Sequence, residues 1–215
     1  MRENFTLSHP TRILAAEVPV SLRIALLALL SVDAMTGYDL HKRFDSSVGH
    51  VWYAPDSQIY PELRKMEADG VVTAQEVPWG TKGTKREYHI TEAGRDALRA
   101  WMNATLPYAR FRDAMHLKSA YFEWADPDAA RGQLRAHIAH YEAELAQWEE
   151  QIHQIDTGTS PMLNRRLAVT PEKDRPRTIA FKRYAYEGLV ARAEQEIAWA
   201  QDGLRLIDDL EEGRA

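Results

Sequence analysis

The hydrophobic pattern of this chain changes period twice between residues 57 and 104, and few folds accept that order of elements. The stretch SQIYPELRKMEADG (57–70) sets Ile59, Leu63 and Met66 on one apolar stripe at helical spacing. It ends on Gly70, which is suited to a left-handed helix terminus. In VVTAQEV (71–77) the period becomes two. PWGTKGT (78–84) is rich in turn formers, and KREYHIT (85–91) is strand-like again, with Tyr88 and Ile90 on one face. Thr91 then caps a helix, EAGRDALRAWMNAT.

Two further helices precede this segment. VSLRIALLALLSV (20–32) is apolar enough to be buried, with Ser21 placed as a cap. TGYDLHKRF (36–44) carries Thr36 as a cap and Asp39 three residues on, close to a capping box, with Leu40 and Phe44 four apart on its inner face. Residues 47–55 break the pattern. The order helix, helix, helix, strand, strand, helix predicts a winged helix-turn-helix, three helices plus a β-hairpin wing. The link between the second and third helices is longer than the tight turn of the simplest helix-turn-helix.

Pro61 stands out in the third helix, because proline lacks an amide proton and crowds the carbonyl four residues back. A helix beginning near Ser57 places it within or just past the first turn, where amides have no intrahelical partner. An earlier start predicts a local kink and a freed carbonyl near Ser57.

The second half has a different grammar. FRDAMHLKSAYFEW (111–124) reads as a short helix, with Phe111, Met115 and Phe122 on one side. Asp126 and Pro127 make an N-cap and first-turn pair that starts a long helix to about Ile155. Its stripe is Leu134, Ile138, Tyr141, Leu145, Trp148 and Ile152. Gly158 opens a looser stretch to Pro176, and a second long helix runs from Arg177 to about Leu210. Its stripe includes Leu189, Ala193, Glu196, Trp199, Gly203, Leu206 and Leu210 at coiled-coil-like steps. Two such helices carry more apolar stripe than one hairpin buries, so pairing with a second copy is expected, through Leu145, Trp148, Ile152, Leu189, Trp199 and Leu206. The fold class is therefore mainly α. A winged helix-turn-helix domain spans residues 1–106, and a long-helix dimerisation domain, also able to hold an effector, spans 107–215.

Composition narrows the function classes. The 215 residues contain no cysteine, which excludes disulfides, thiolate metal sites and a thiol nucleophile. The first residues, MRENFTLSHPTRILAAEV, lack the apolar core of a signal peptide, and the apolar run 24–30 is far shorter than the ~20 residues that cross a bilayer. A cytoplasmic location with no membrane partner is expected. The net charge of −5 is uneven. Residues 1–110 hold 13 Lys and Arg against 13 Asp and Glu, and the remainder hold 14 against 19. A nucleic-acid binder needs only a local basic face, which this division permits.

The stretches MTGYDL (35–40), IYPELRKMEADGVV (59–72) and REYHITEAGRDAL (86–98) resemble the PadR family of bacterial transcriptional regulators. The tyrosine–proline pair in the third helix and the tyrosine-x-apolar-Thr-x-x-Gly ending are the more specific parts. The second half resembles the longer C-terminal helical domain found in that family, from FRDAMHLK to EIAWAQDGLRLIDDL. The resemblance implies a dimeric DNA-binding regulator, usually a repressor, whose winged helix holds an inverted repeat of double-stranded DNA. It also implies release by a small ligand, in some members a phenolic or other aromatic compound.

The residues themselves suit such a role. With Ile59, Leu63 and Met66 buried, Ser57, Gln58, Arg64 and Lys65 lie off the stripe. Gln58 matches adenine edges, and Arg64 and Lys65 reach guanine or phosphate. Tyr60 offers a hydroxyl to a phosphate oxygen, with Pro61 fixing how the first turn enters the groove. Lys82, Lys85 and Arg86 cluster near the wing tip beside Gly80 and Gly83, where cations would neutralise phosphates. Trp79 is expected to pack on the hairpin. His137, His140 and Glu144 share one helix face at metal-ligand spacing, but two histidines without a fourth ligand read better as a solvated edge, so neither metal nor cofactor is expected. The aromatics Tyr121, Phe122, Trp124, Tyr141, Trp148, Tyr184, Tyr186 and Trp199 suit core or dimer interface better than an effector cavity. No nucleophile–base arrangement, phosphate loop or paired carboxylate stands out, so an enzyme is not expected. The residues alone also admit a dimeric protein-interaction module that uses the winged helix without DNA.

Overall fold

A computed structural model describes residues 22–44, 56–80, 83–106 and 112–214. The chain divides into two compact units, Met1–Tyr108 and Ala109–Ala215. Ser21 lies outside the described residues, as does most of the link between the second and third helices.

In the first unit, α1 (Leu22–Leu30), α2 (Gly37–Arg43) and α3 (Asp56–Ala68) precede the hairpin, and α4 (Glu92–Asn103) follows it. Their apolar faces meet in one core: Leu26, Leu27, Leu40, Ile59, Leu63 and Met66 are fully buried, with Phe44, Val72 and Tyr88 beside them. Thr36 caps α2, accepting a hydrogen bond from the Asp39 amide at 3.2 Å and donating to the Asp39 carboxylate at 2.7 Å. Thr91 caps α4, accepting from the Gly94 amide at 3.1 Å. Its hydroxyl also donates to the Gly70 carbonyl at 2.8 Å, which ties the start of α4 to the end of α3. Gly94 is required for that approach, since a Cβ there would sit 2.2 Å from the Val71 carbonyl oxygen.

The sheet has three strands, not the two expected. β1 (Met35–Thr36), β2 (Val72–Trp79) and β3 (Gly83–Ile90) lie in the order β1-β3-β2, all antiparallel. β1 pairs Met35 with Tyr88 and Thr36 with Glu87. Two residues are too few to carry an alternating pattern, so the strand exists only through its partner. The hairpin strands also run further toward the tip than expected, with Pro78 opposite Thr84 inside the ladder. β2 is an edge strand, the setting in which a sheet accommodates proline.

In the second unit, α6 (Pro127–Asp156) and α8 (Arg175–Glu211) pack antiparallel. Arg131 near the start of α6 pairs with Asp208 near the end of α8, and Asp156 pairs with Arg183. Trp148, Ile155, Tyr186 and Ala193 form their core with Leu163 of α7 (Pro161–Val169). Small residues permit the close approach, as a Cβ at Gly203 would meet a Leu134 methyl at 3.1 Å. Two expectations need correction here. The stretch expected to be loose from Gly158 to Pro176 contains α7 and a 3-10 turn (Glu172–Asp174), and α8 begins at Arg175, so Pro176 sits in its first turn where proline is harmless. The single helix expected over 111–124 is instead α5 (Ala114–Ser119) followed by a 3-10 turn (Phe122–Trp124). Asp113 caps α5, accepting from the Met115 and His116 amides. Ser119 donates back to the His116 carbonyl near the end of α5.

Candidate nucleic-acid interface

α3 turns its three apolar residues inward and the rest outward. Ser57, Gln58, Tyr60, Pro61, Arg64 and Lys65 are all exposed, while Ile59, Leu63 and Met66 are at 0%. Arg64 and Lys65 form no ion pair among the described residues, so both cations are available to a partner. α3 is anchored at its back: Arg23 of α1 reaches Glu62 and Asp69, each at 2.7 Å. Glu62 lies within α3 and Asp69 just past its end, so these bonds hold the helix to α1 at two points. Pro61 lies inside α3, so the Ser57 carbonyl four residues earlier receives no amide hydrogen bond from it.

Tyr60 is placed by a residue the sequence reading passed over. Its ring lies on the backbone of Gly37, where a Cβ would come 2.6 Å from the ring edge. A cleft of about 260 Å³ opens beside this contact, lined by Gly37, Tyr38, Tyr60, Arg64, Lys85 and Arg86 together with Thr36 and Tyr88. Elements far apart in sequence thus bring three cations and three phenols together. Lys85 lies over the Trp79 ring and 5.0 Å from the centre of the Tyr38 ring. Trp79 is nevertheless 58% exposed, with the Lys85 ammonium over one face of its ring. Arg86 is engaged differently. One of its Nη nitrogens donates to both Glu67 oxygens, at 2.6 and 2.7 Å. That hydrogen bond is the main reason its guanidinium is held in the charged form more firmly than usual. Lys82 lies outside the described residues. Tyr38, Gly37 and Glu67 were not singled out from the sequence. The MTGYDL match contained the first two, but nothing in their spacing showed that they face α3 and the wing.

The residues expected to pair subunits are mostly occupied within the second unit. Trp148 is buried in its core, and Leu145, Ile152 and Leu189 pack against that core. Trp199 stacks on His116, ring centres 4.3 Å apart, and meets His137 edge-on at 5.5 Å. Leu206 is 55% exposed. Among the described residues of this unit, the large apolar side chains left open are Leu117, Tyr121 and Trp124 on the α5 segment, Val169 at the end of α7, and Phe181, Tyr184, Leu206 and Leu210 on α8. The first three line a shallow apolar groove with Ala114 and Phe122. Of the aromatics considered, Tyr186 is core, and its buried hydroxyl has no hydrogen-bond partner among the described residues. His137 lies 3.2 Å from Glu196, and His140 lies 3.9 Å from Glu144, so the two histidines turn to different carboxylates. No group of three or more metal-ligating side chains is assembled among the described residues.

Residues 26–100 match the model of the transcriptional regulator PadR-like family. Over those residues the chain is similar to that family. The chain is 28% identical over 142 residues to the negative transcriptional regulator PadR of Bacillus subtilis, covering 66% of the chain and 78% of the relative. It is 37% identical over 91 residues to a probable transcriptional regulator of Mycobacterium tuberculosis, covering 42% of the chain and 48% of that protein. Among solved structures it is similar to Bacillus subtilis PadR in complex with operator DNA, with a TM-score of 0.67 at 24% identity, covering 86% of this chain and 98% of that one. It is also similar to the Vibrio cholerae virulence activator AphA, with a TM-score of 0.63 at 26% identity, covering 88% and 99%. The family is one of regulators, not enzymes, and the mainly helical architecture with its small antiparallel sheet is shared with these structures.

Proposed function

We propose that this PadR-like regulator is a homodimeric, cytoplasmic DNA-binding repressor that holds an inverted-repeat operator and leaves it on binding a small molecule, with aromatic compounds the first class to test. The observation that carries the reading is α3. It buries Ile59, Leu63 and Met66 and leaves Ser57, Gln58, Tyr60, Arg64 and Lys65 exposed with no competing carboxylate on the two cations, while Lys85 flanks the same cleft from the wing. Gln58 and Arg64 are suited to base edges and Lys65, Lys85 and Tyr60 to phosphates. The complex of Bacillus subtilis PadR with operator DNA supports a DNA partner, and its complex with p-coumaric acid supports an aromatic effector. Among the described residues no helix is long and apolar enough to cross a membrane, in keeping with a DNA-facing location.

Dimerisation is supported by the second unit. Leu117 at 65%, Tyr121 at 59% and Trp124 at 86% exposed form one contiguous apolar segment, and α8 adds Leu206 and Leu210. Clustered exposed apolar side chains of this kind suit an interaction surface. Leu145, Trp148, Ile152, Leu189 and Trp199 are proposed to stiffen the helices that carry it.

The test is a footprint on the DNA upstream of the chain's own coding region, at low and moderate salt. Protection of a palindromic site is expected, weakened by Arg64→Ala with Lys65→Ala and relieved by an aromatic carboxylate. No footprint at low salt would overturn the DNA reading and favour a protein-interaction module.

A further inference from the structure

Arg86 differs from the other candidate DNA-contacting cations. Arg64, Lys65 and Lys85 have no carboxylate partner among the described residues, whereas Arg86 already holds the best acceptor a guanidinium finds, a carboxylate with both oxygens in reach. It shares a face of β3 with Tyr88, which is buried, and on that face its guanidinium reaches Glu67 of α3. Glu67 sits in the last turn of α3. The pair therefore ties the middle of the wing to the recognition helix by side chains, in addition to the buried core they share and the short connection through Gly70, whose φ is 72°. The side chains are 48% and 32% exposed, and an exposed pair of this kind adds little to stability. A phosphate that took Arg86 would also leave the Glu67 carboxylate unpaired beside the DNA backbone, where like charges repel.

We propose that Glu67 and Arg86 are a positioning pair. They set the wing against α3 so that Lys85 meets the DNA backbone while Gln58 and Arg64 face base edges, and Arg86 itself binds no phosphate. This rests on the DNA-binding reading above.

A charge swap tests it, with affinity for the footprinted fragment and its salt dependence as readouts. Glu67→Gln and Arg86→Gln are each expected to weaken binding about tenfold, and the double Gln variant to be no worse than either, as for two residues acting through one contact. The swapped variant, Glu67→Arg with Arg86→Glu, is expected to return to within about threefold of the parent. The dependence on salt should stay that of the parent in all four, with thermal midpoints within a few degrees. The proposal is overturned if Arg86→Gln lowers the salt slope by about one unit, the mark of a lost phosphate contact. It is equally overturned if the swap regains nothing, or if the single variants bind as the parent does. The glutamine variants keep the test open should Arg86→Glu alone fold poorly. A parent protein that protects no DNA would instead sink the DNA reading, a result distinct from any of these.

Discussion

Two glycines show how one Cβ has different consequences in different surroundings. At Gly37 the obstacle is the Tyr60 ring, 44% exposed and free to swing away. Gly37→Ala should leave the fold intact and displace Tyr60, weakening operator binding by about 1 kcal/mol, read by titration of the footprinted fragment. At Gly94 the obstacles are the Val71 carbonyl and the side chains of Ile90 and Leu27. Neither backbone nor core can yield cheaply. Gly94→Ala should cost about 3 kcal/mol of stability, read as a lower urea midpoint with the slope unchanged. Pro61→Ala offers a third contrast. It returns an amide to the Ser57 carbonyl, so the helix gains locally, and a changed operator affinity would show that the proline aims the first turns of α3. Equal affinity would mean that it is only tolerated. Arg64→Ala is expected to cost about 1–3 kcal/mol of operator binding while the midpoint of unfolding stays put.

At the scale of elements, α8 contains a charge that no carboxylate answers. The Lys182 ammonium lies 5.1 Å from the centre of the Tyr186 ring, and burial, helped by the nearby Arg166, pushes its pKa below the ordinary 10.5. The folded state therefore binds this proton more weakly than the unfolded chain does, and its contribution to stability rises with pH up to about that ordinary value. Lys182→Met keeps the stem and removes the charge. It should raise the thermal midpoint at neutral pH, with the gain shrinking as pH approaches 10.5. Burial shifts the Tyr141 and Tyr186 phenols upward, so the stability they lend is present below their ordinary 10.0 and fades only above it. The two effects run in opposite directions in neighbouring windows, and a midpoint-versus-pH curve for parent and variant separates them.

For the whole molecule, the two units divide charge as well as structure. The first 110 residues are balanced while the rest carry the excess of acid, so DNA attraction rests on the few cations around the cleft and not on a basic protein. The dimer proposed above would place two such faces on one duplex. Trp124→Asp with Leu117→Asp should yield a monomer by sedimentation and lower operator affinity by at least about tenfold through loss of the second half-site. A variant that remains dimeric would move the interface elsewhere.

The helices of the first unit, the wing and its caps were legible because each is written locally. Thr36 and Asp39, Thr91 and Gly94, and the stripe Ile59, Leu63 and Met66 all act within a few residues of chain. The exposed set on α3 followed from the same stripe by subtraction. Other features depended on partners distant in sequence. β1 is two residues made into a strand by Tyr88 and Glu87, and α7 formed where turn residues suggested a loose stretch because Leu163 had a core to join. Trp148 and Leu189 have the spacing of an intersubunit seam, yet they pack within their own chain, because periodicity states which face is apolar and not what covers it. Arg86 and Glu67 are 19 positions apart, and only the register of β3 against α3 puts one on the other. Local chemistry thus determined the elements and the outward residues by itself. Tertiary structure alone decided which of those residues are already taken, because a side chain's partner is a matter of distance in space.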